Sequence, residues 1–221
     1  MDYADARKRM VNGQLRPNKV TDPRLLTAMG TIPRERFLPE GPLRARAYLD
    51  EDVRLPGPAG RALTEPMVIA RLIQLAALRR GDRVLLLPAG TGYAAAVMAE
   101  MGARVVGLES DEALVRAARD AVAEIAGAEQ ARILHAPIEQ GHAAGAPYDV
   151  ILIEGEVTEV PDALVEQLAE GGRLVTVLAR EGRVGHAVLG RRIGGSFTLT
   201  PAFDCAITPV REFTRAPAFV F

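Results

Sequence analysis

A glycine-rich turn between two hydrophobic segments is the part of this sequence best suited to chemistry. In VLLLPAGTGYAAA, Gly90 and Gly92 follow a short apolar run and precede helix-forming alanines. Glycines allow close backbone approach to a ligand, and the start of the next helix offers unpaired N–H groups. Glu109 ends the next apolar run, roughly 20 residues beyond the turn, the spacing at which an acid reaches ribose hydroxyls. This order predicts a site for an adenosine-containing ligand.

Four consecutive residues of the turn are predicted to bind this cofactor together with Glu109: Ala89, Gly90, Thr91 and Gly92. The alternative is that the glycines serve only tight packing of a strand against a helix. We favour binding because Glu109 and the turn should lie at the same edge of the sheet. Tyr93 is expected to pack at the turn.

The cofactor is expected to be S-adenosylmethionine (SAM) rather than NAD. Both ligands present a ribose to such an acid, but a dehydrogenase usually contains two mononucleotide-binding halves. A chain of 221 residues with a helical first part has room for only one half. The last part of the chain, which is predicted to contain strands without helices, also fits a second half poorly.

The composition is that of an ordinary globular protein and excludes several classes. Hydrophobic residues make up 48% and charged residues 25%, which excludes disorder and collagen. Lys and Arg total 27 against 28 for Asp and Glu, a net charge of −1. Dedicated binders of nucleic acids or anionic membranes carry a basic excess. We therefore expect neither partner.

Cysteine and histidine usage argues against a disulfide or a metal site. Cys205 is the only cysteine, and His135, His142 and His186 are widely spaced, with no HxxxH or HExxH pairing. The start, MDYADARKRM, lacks the apolar run of a secretory signal, and no apolar run approaches the length of a bilayer span. We expect a cytoplasmic protein without a metal.

The first 80 residues are predicted to form helices interrupted by prolines. Asp22 before Pro23 is a typical helix start, and it opens a helix that ends near Gly30. Thr64-Glu65-Pro66 opens a second, largely apolar helix, MVIARLIQLAAL, with Thr64 as its expected N-cap. This part is predicted to be a substrate-side segment over residues 1–80.

From Gly81 onward, short apolar strands alternate with helices, which indicates a parallel sheet covered on both faces. From Arg183 to Phe221 the pattern changes to strands alone, predicted to pair antiparallel at one edge. The fold class is therefore α/β, a doubly wound, Rossmann-like sheet after a helical preamble, with the SAM-binding domain over 81–221 and one compact unit overall. The strands are expected at 84–87, 105–108, 131–135, 148–153 and 173–178, and helices include DEALVRAARDAVAEIAG and 161–169.

Segments over most of the chain carry a family resemblance: LLTAMGTIPRERFLP with AYLDED, LTEPMVIARL, VLLLPAGTGYAAAVMAEMG, VVGLESDEALVRAARDAV, APYDVILIEG and VPDALVEQLAEGGRLV. On these segments the sequence resembles the protein-L-isoaspartate O-methyltransferase family. The resemblance implies methyl transfer from SAM to the free carboxylate of damaged aspartyl residues in a flexible peptide or protein, with S-adenosylhomocysteine as product. It also implies a hydroxyl residue at the start of the pre-sheet helix, which falls on Thr64, the expected catalytic, acceptor-binding residue.

Two stretches depart from the family pattern on the cofactor side. Leu86 and Pro88 stand where the family usually has an acid and a glycine, and proline lacks an N–H. Residues 136–138 read Ala-Pro-Ile where the family tends to have Gly-Asp-Gly, whose acid contacts adenine. Glu139, two residues beyond Pro137, is the expected replacement and is predicted to bind the cofactor.

Two glutamates, Glu154 and Glu156, follow the fourth strand, where small neutral residues are usual. Glu154 is also predicted to contact the cofactor. A carboxylate this close would repel an isoaspartyl acceptor by roughly 1 to 4 kcal/mol. The glutamates therefore point away, or one is protonated or paired, or the acceptor is not an anion.

Two alternative functions remain open. The acceptor could be a small-molecule hydroxyl or a protein amine, for which a carboxylate would serve as general base. The chain could also be a non-catalytic binding member of the family, which the residues Leu86, Pro88 and Pro137 suggest. Methylation of DNA bases is disfavoured, because residues 153–156 read Ile-Glu-Gly-Glu instead of an Asn/Asp-Pro-Pro-aromatic motif.

Overall fold

The computed structural model describes residues 2–126 and 129–214, and it begins with helices. Helix α1, Tyr3–Met10, continues into a π-helical turn, Val11–Leu15, and α2 spans Pro23–Thr31. The carboxylate of Asp22 caps α2 by accepting the N–H of Arg24 at 2.8 Å. The predicted helix start at Asp22 is confirmed.

A connecting segment leads from these helices to the main sheet. It contains 3-10 turns at Arg34–Phe37 and Arg44–Arg46, then a two-stranded antiparallel ribbon of β1, Val53–Arg54, and β2, Ala62–Leu63, and then helix α3, Pro66–Leu75.

Thr64 does not cap α3. The N-cap residue is Glu65, with Pro66 in the first turn, and no side chain provides a capping hydrogen bond. Proline has no N–H, so the first turn has one donor fewer to satisfy. The predicted capping role of Thr64 is therefore wrong, and its hydroxyl is free to take another partner.

The main sheet has seven strands in the order β5-β4-β3-β6-β7-β8-β9. The strands from β5 to β7 run parallel, whereas β7–β8 and β8–β9 pair antiparallel. The α/β, doubly wound prediction with antiparallel strands at one edge is confirmed. The strand bounds are β3 Arg83–Leu87, β4 Arg104–Glu109, β5 Ala131–His135, β6 Tyr148–Val157, β7 Leu168–Arg180, β8 Arg183–Ile193 and β9 Ser196–Asp204.

Three helices follow strands of the parallel part: α4, Tyr93–Glu100, α5, Glu112–Ile125, and α6, Asp162–Glu166. The helix predicted over 161–169 is shorter, because Leu168 already opens β7 by pairing with Tyr148. The strand predicted over 148–153 continues to Val157. Gly127, the last residue of the predicted helix DEALVRAARDAVAEIAG, lies outside the described residues, as do residues 215–221 of the predicted antiparallel strands.

A returning tail closes the carboxyl edge of the parallel strands. After β9, the backbone N–H of Val210 donates to the carbonyl of Glu156 at 2.9 Å, and the N–H of Glu156 donates to the carbonyl of Thr208 at 3.2 Å. A single cluster of buried hydrophobic residues extends from Met10 to Ile207, so the N-terminal helices and the sheet share a core. This arrangement brings three separate parts of the chain over the ends of β3, β4 and β6.

The described residues include neither a membrane-spanning helix nor a cluster of metal-binding side chains. None of their helices is long and apolar enough to cross a membrane. They also contain no group of three or more His, Cys, Asp or Glu side chains placed to hold a metal ion.

Candidate active site

A cavity lies at the carboxyl edge of the sheet, where the ribbon, the glycine-rich turn, β6 and the tail meet. Its walls are residues 60–64, residues 88–91 with Tyr93, Glu154 and residues 208–210. The volume open to the centre of a water molecule is about 20 Å³, enough for roughly one water. The structure thus brings together Thr64, Glu154 and the first part of the turn, all of which are predicted site residues.

The glycine-rich turn uses its backbone donors within the protein. The N–H of Gly90 donates to the carboxylate of Glu109 at 2.9 Å, and the N–H of Gly92 donates to the carbonyl of Ala89 at 2.8 Å. Gly92 has a φ of +90°, and a Cβ built there would lie 2.8 Å from Cγ2 of Val122 on α5. Gly92 is thus needed for packing of the turn against α5. Such a packing role is the alternative to ligand binding that the sequence allows for the glycines.

Glu109, at the end of β4, is fully buried and its carboxylate is surrounded by donors. Besides Gly90, the backbone N–H groups of Ser110 and Asp111 donate to it at 2.8 and 3.1 Å. The guanidinium of Arg61 donates to the same carboxylate at 3.2 Å. The acid is therefore located where the sequence predicted, but protein groups already occupy its acceptor positions.

Arg61, just before β2, lies over Glu109 and continues to the tail. Its side chain is 4% exposed, and its Nη1 donates to the carboxylate of Glu212 at 2.9 Å. Burial lowers the pKa of Arg61, but the two carboxylates outweigh this effect and raise the pKa above its ordinary value. Arg61 is thus a buried cation between two acids.

The nucleoside half of SAM does not fit beside Glu109 in this arrangement. Arg61 covers the carboxylate that would accept the ribose hydroxyls, and the cavity that Arg61 lines is open to about one water. An adenosine group is many times larger than a water molecule. The described conformation is therefore closed to the nucleoside, although the acid and the turn are present.

On the other side of the turn, Thr64 and Glu154 form a hydroxyl–carboxyl pair. The Oγ1 of Thr64 donates to Oε1 of Glu154 at 2.9 Å. The pairing of β6 with β7 shifts its register between Leu152 and Glu156. Such an irregularity redirects a side chain from the regular alternation of a strand. Of the alternatives that the sequence left open for the two glutamates, the structure shows pairing for Glu154.

Arg34 places a buried positive charge next to this pair. Its guanidinium donates to the carbonyls of Ala47 and Thr64, and its Cζ lies 4.7 Å from the ring centroid of Tyr93. The side chain is fully buried. A buried charge is stable only when its neighbours compensate it. The backbone carbonyls and the aromatic ring provide that compensation.

The chemistry of Glu154 is set by its enclosure. Burial raises the pKa of its carboxyl to about 8, against the hydrogen bond from Thr64 and the charge of Arg34, which lower it. The carboxyl is therefore mostly neutral at pH 7. Within the described part of the chain, the buried hydroxyl of Thr91 in the cavity wall has no hydrogen-bond partner, and the hydroxyl of Tyr93 has none except the guanidinium of Arg34. The wall thus retains polar groups that a bound molecule could satisfy.

Two other predicted positions lie away from the cavity. Glu139 lies half-buried in a turn after β5 and is not part of the cavity wall. The carboxylate of Glu156 lies against β8, where a Cβ at Gly185 would be in contact with it. Burial raises the pKa of Glu156. Of the two glutamates in β6, only Glu154 thus lines the cavity.

A second cavity lies beside the first, with Thr91 in both walls. It is lined mainly by apolar residues of 36–39, by Leu55 and Pro56, and by the first turns of α5. The volume open to the centre of a water molecule is about 230 Å³.

Sequence reasoning missed three of the charged residues that shape the site: Arg34, Arg61 and Glu212. Arg34 opens the charged run Arg-Glu-Arg after Ile32-Pro33, and nothing in that run marks it as the buried cation. Arg61 and Glu212 carry no such signal, because they are 151 residues apart and meet only through the fold.

Comparison with known proteins agrees with this architecture. The profile of the protein-L-isoaspartate (D-aspartate) O-methyltransferase family matches residues 6–212. The protein-L-isoaspartate O-methyltransferase of Methylorubrum populi is 44% identical over 173 residues, which cover 77% of this chain and 78% of that protein. The protein of the same name from Koribacter versatilis is 35% identical over 94% of this chain and 91% of its own length.

Solved structures show the same fold. A protein-L-isoaspartate O-methyltransferase superposes with a TM-score of 0.80 at 26% identity, covering 92% of this chain but 65% of the other. A putative Plasmodium falciparum enzyme of this kind, solved with S-adenosyl-L-homocysteine, gives a TM-score of 0.78 at 21% identity over 93% and 98% of the two chains. The predicted family is confirmed. The chain belongs to the protein-L-isoaspartate (D-aspartate) O-methyltransferase family of SAM-dependent methyltransferases.

Proposed function

We propose that this chain methylates the side-chain carboxylate of isoaspartyl residues in damaged peptides or proteins, with SAM as the methyl donor. The observation that carries the proposal is the Thr64–Glu154 pair at the cavity beside the glycine-rich turn. With an acceptor bound, the neutral carboxyl of Glu154 would donate its proton to Oγ1 of Thr64, and the hydroxyl of Thr64 would donate to the acceptor carboxylate.

The charges around the pair suit an anionic acceptor. A carboxylate is already nucleophilic, so the protein needs mainly to position it. Glu154 is mostly neutral below its pKa of about 8 and therefore does not repel the acceptor at pH 7. The buried guanidinium of Arg34 adds a favourable positive charge. Residues 1–80, which supply Arg34 and Thr64, would form the acceptor side.

An assay of methyl ester formation on a synthetic isoaspartyl peptide tests the proposal. Thr64→Val removes the hydroxyl and keeps the shape, whereas Thr64→Ser keeps the hydroxyl. We expect Thr64→Val to raise the KM for the peptide at least tenfold and Thr64→Ser to stay close to the wild type. The proposal fails if the wild type binds S-adenosylhomocysteine but forms no methyl ester.

The pKa of Glu154 also favours a second candidate, an acceptor with a hydroxyl or amine group. A carboxyl with a pKa near 8 is suited to act as a general base close to neutral pH. Glu154→Gln separates the two readings, because the amide keeps a hydrogen-bond partner for Thr64 but cannot take a proton. A carboxylate acceptor predicts retained turnover, and a hydroxyl or amine acceptor predicts its loss. Glu156→Gln, outside the cavity, is the matched control.

We also propose a cytoplasmic setting without nucleic-acid or membrane partners. The support is the composition: one cysteine, no basic excess and a net charge of −1. Glu139 remains a proposed cofactor contact only for a conformation that differs from the described one.

A further inference from the structure

Two pieces of chain meet over Glu109 and hold each other reciprocally. Arg61 of the ribbon loop pairs with Glu212 of the tail, and Arg211 of the tail donates to the carbonyl of Pro58 in the loop at 3.0 Å. Gly60, with a φ of +68°, lies against the guanidinium of Arg211, where a Cβ would be 2.8 Å from Cζ. We call this arrangement the arginine latch: Arg61, Glu212, Arg211 and the backbone of residues 58–60.

The Arg61–Glu212 ion pair of the latch is largely shielded from water, which strengthens the attraction between the two charges. The side chain of Arg61 is 4% exposed and that of Glu212 is 19% exposed. Burial raises the pKa of Glu212, but the hydrogen bonds from Arg61 outweigh it and hold the pKa below its ordinary value. Asp52 anchors the tail upstream by accepting the N–H and the hydroxyl of Thr208 at 3.0 and 2.7 Å. Phe213 anchors the tail downstream, because its side chain is buried and its carbonyl accepts the hydroxyl of Thr158 at 3.0 Å. Opening can therefore be limited to the side chains of Arg61, Arg211 and Glu212.

The latch and a nucleoside require the same carboxylate. Ribose hydroxyls are donors that an acid at the end of the second parallel strand of such a sheet accepts. Here Arg61 donates to that acid and fills the adjacent space. We propose that Arg61 controls cofactor binding: the nucleoside half of SAM binds only when Arg61 leaves Glu109, so that Arg61 and the ribose compete for one carboxylate. This inference rests on the proposed function for its ligand only.

Calorimetric titration with S-adenosylhomocysteine tests the competition without relying on turnover. We expect Arg61→Gln to bind it at least tenfold more tightly than the wild type, and Glu212→Gln to lie between the two. The gain should disappear in the double variant Arg61→Gln/Glu109→Gln, which retains the opening but lacks the acid. Arg116→Gln breaks an exposed Arg–Glu pair on α5 and is the matched control, expected to bind like the wild type.

Equal affinity of the wild type and Arg61→Gln would overturn the proposal, whether the two bind tightly or not at all. Thermal unfolding of each variant shows whether it is folded. If Arg61→Gln does not fold, Glu212→Gln supplies the test, because Glu212→Gln keeps the Arg61–Glu109 pair. A chain that shows the expected affinities but forms no methyl ester would refute only the proposed acceptor. A chain that forms the ester without the affinity difference would refute only the latch.

Discussion

Glu109 and Glu154 lie near the carboxyl ends of strands β4 and β6, which flank the strand that leads into the glycine-rich turn, and their carboxyl groups are occupied in opposite ways. Glu109 accepts from three backbone N–H groups and from Arg61. Glu154 accepts one hydroxyl from Thr64, and burial keeps it mostly neutral. On the nucleoside side, the Arg61–Glu109 ion pair thus occupies the site. On the acceptor side, Thr64 and the neutral Glu154 form an uncharged hydrogen-bonded pair.

The difference shows that one edge of a sheet can carry an acceptor site that is already formed beside a nucleoside site that is closed. On the acceptor side, the partners come from the start of α3 and from β6, and both elements are fixed in the core. On the nucleoside side, the partners are side chains of a loop and of the tail, and their ionic contacts take no part in the pairing of the strands. Closure therefore depends on contacts that are reversible in principle.

The largest expected effect is the loss of the acid on the closed side. Glu109→Ala leaves Arg61 buried beside the cavity with Glu212 alone and removes the acceptor of three backbone N–H groups. Breaking a buried ion pair by removing one partner typically costs about 3–5 kcal/mol. Urea unfolding should show this loss. Glu112→Ala, whose pair with Arg116 is exposed, is the control and should change the stability little. A similar loss in both variants would contradict a tightly held Glu109.

The next effect concerns the turn that joins the two sides. Gly92→Ala introduces a Cβ 2.8 Å from Val122 and 3.3 Å from Ala118 at a φ of +90°. Overpacking and the left-handed backbone together should cost about 2–4 kcal/mol. Gly13→Ala, where a Cβ meets nothing within 4 Å, should unfold close to the wild-type temperature. A neutral Gly92→Ala would mean that this glycine is kept for ligand approach and not for packing.

A smaller, pH-dependent effect is expected on the acceptor side. The folded chain raises the pKa of Glu154 from 4.5 to about 8, so the folded state keeps a proton that the unfolded chain loses. Stability from this group is therefore complete below about pH 4.5 and is lost as the pH rises toward 8. Glu154→Gln should gain stability relative to the wild type as the pH rises over this range, by about 1 kcal/mol for each pH unit. A constant difference at every pH would contradict a neutral Glu154.

The smallest expected effect separates two threonines of the same cavity. The hydroxyl of Thr91 is buried without a partner, whereas that of Thr64 is bonded to Glu154. Thr91→Val should leave the free energy of unfolding unchanged or raise it by up to about 1 kcal/mol, because no hydrogen bond is lost. Thr64→Val should lower it by about 1–2 kcal/mol, because Glu154 loses its partner. Equal losses in the two variants would show that Thr91 is also bonded.

The sequence predicted the sheet and helix order well, because continuous apolar strands and amphipathic helices are local patterns. It failed at α6, where Leu168 pairs with Tyr148 and starts a strand in place of the expected helix end. It also misassigned the hydroxyl of Thr64 to a helix cap. In both cases a contact with a distant part of the chain decides the outcome.

The sequence predicted the positions of Glu109, Glu154 and the glycine-rich turn, but not that Glu139 lies outside the cavity or that Arg61 covers Glu109. Glu109 stands where the spacing from the turn placed it, yet the spacing carries no information about Arg61. The partners of Arg61 are 48 and 151 residues away, and one of them lies in the tail after the last strand. Only the folded chain shows that the acid is already paired.

A crystal structure of the wild type soaked with S-adenosylhomocysteine tests the central claim most directly. We expect the ribose hydroxyls to contact Glu109, with Arg61 displaced from it and separated from Glu212. The contrary result is a bound nucleoside with the Arg61–Glu109 pair intact, for example in the neighbouring apolar cavity between residues 36–39 and α5.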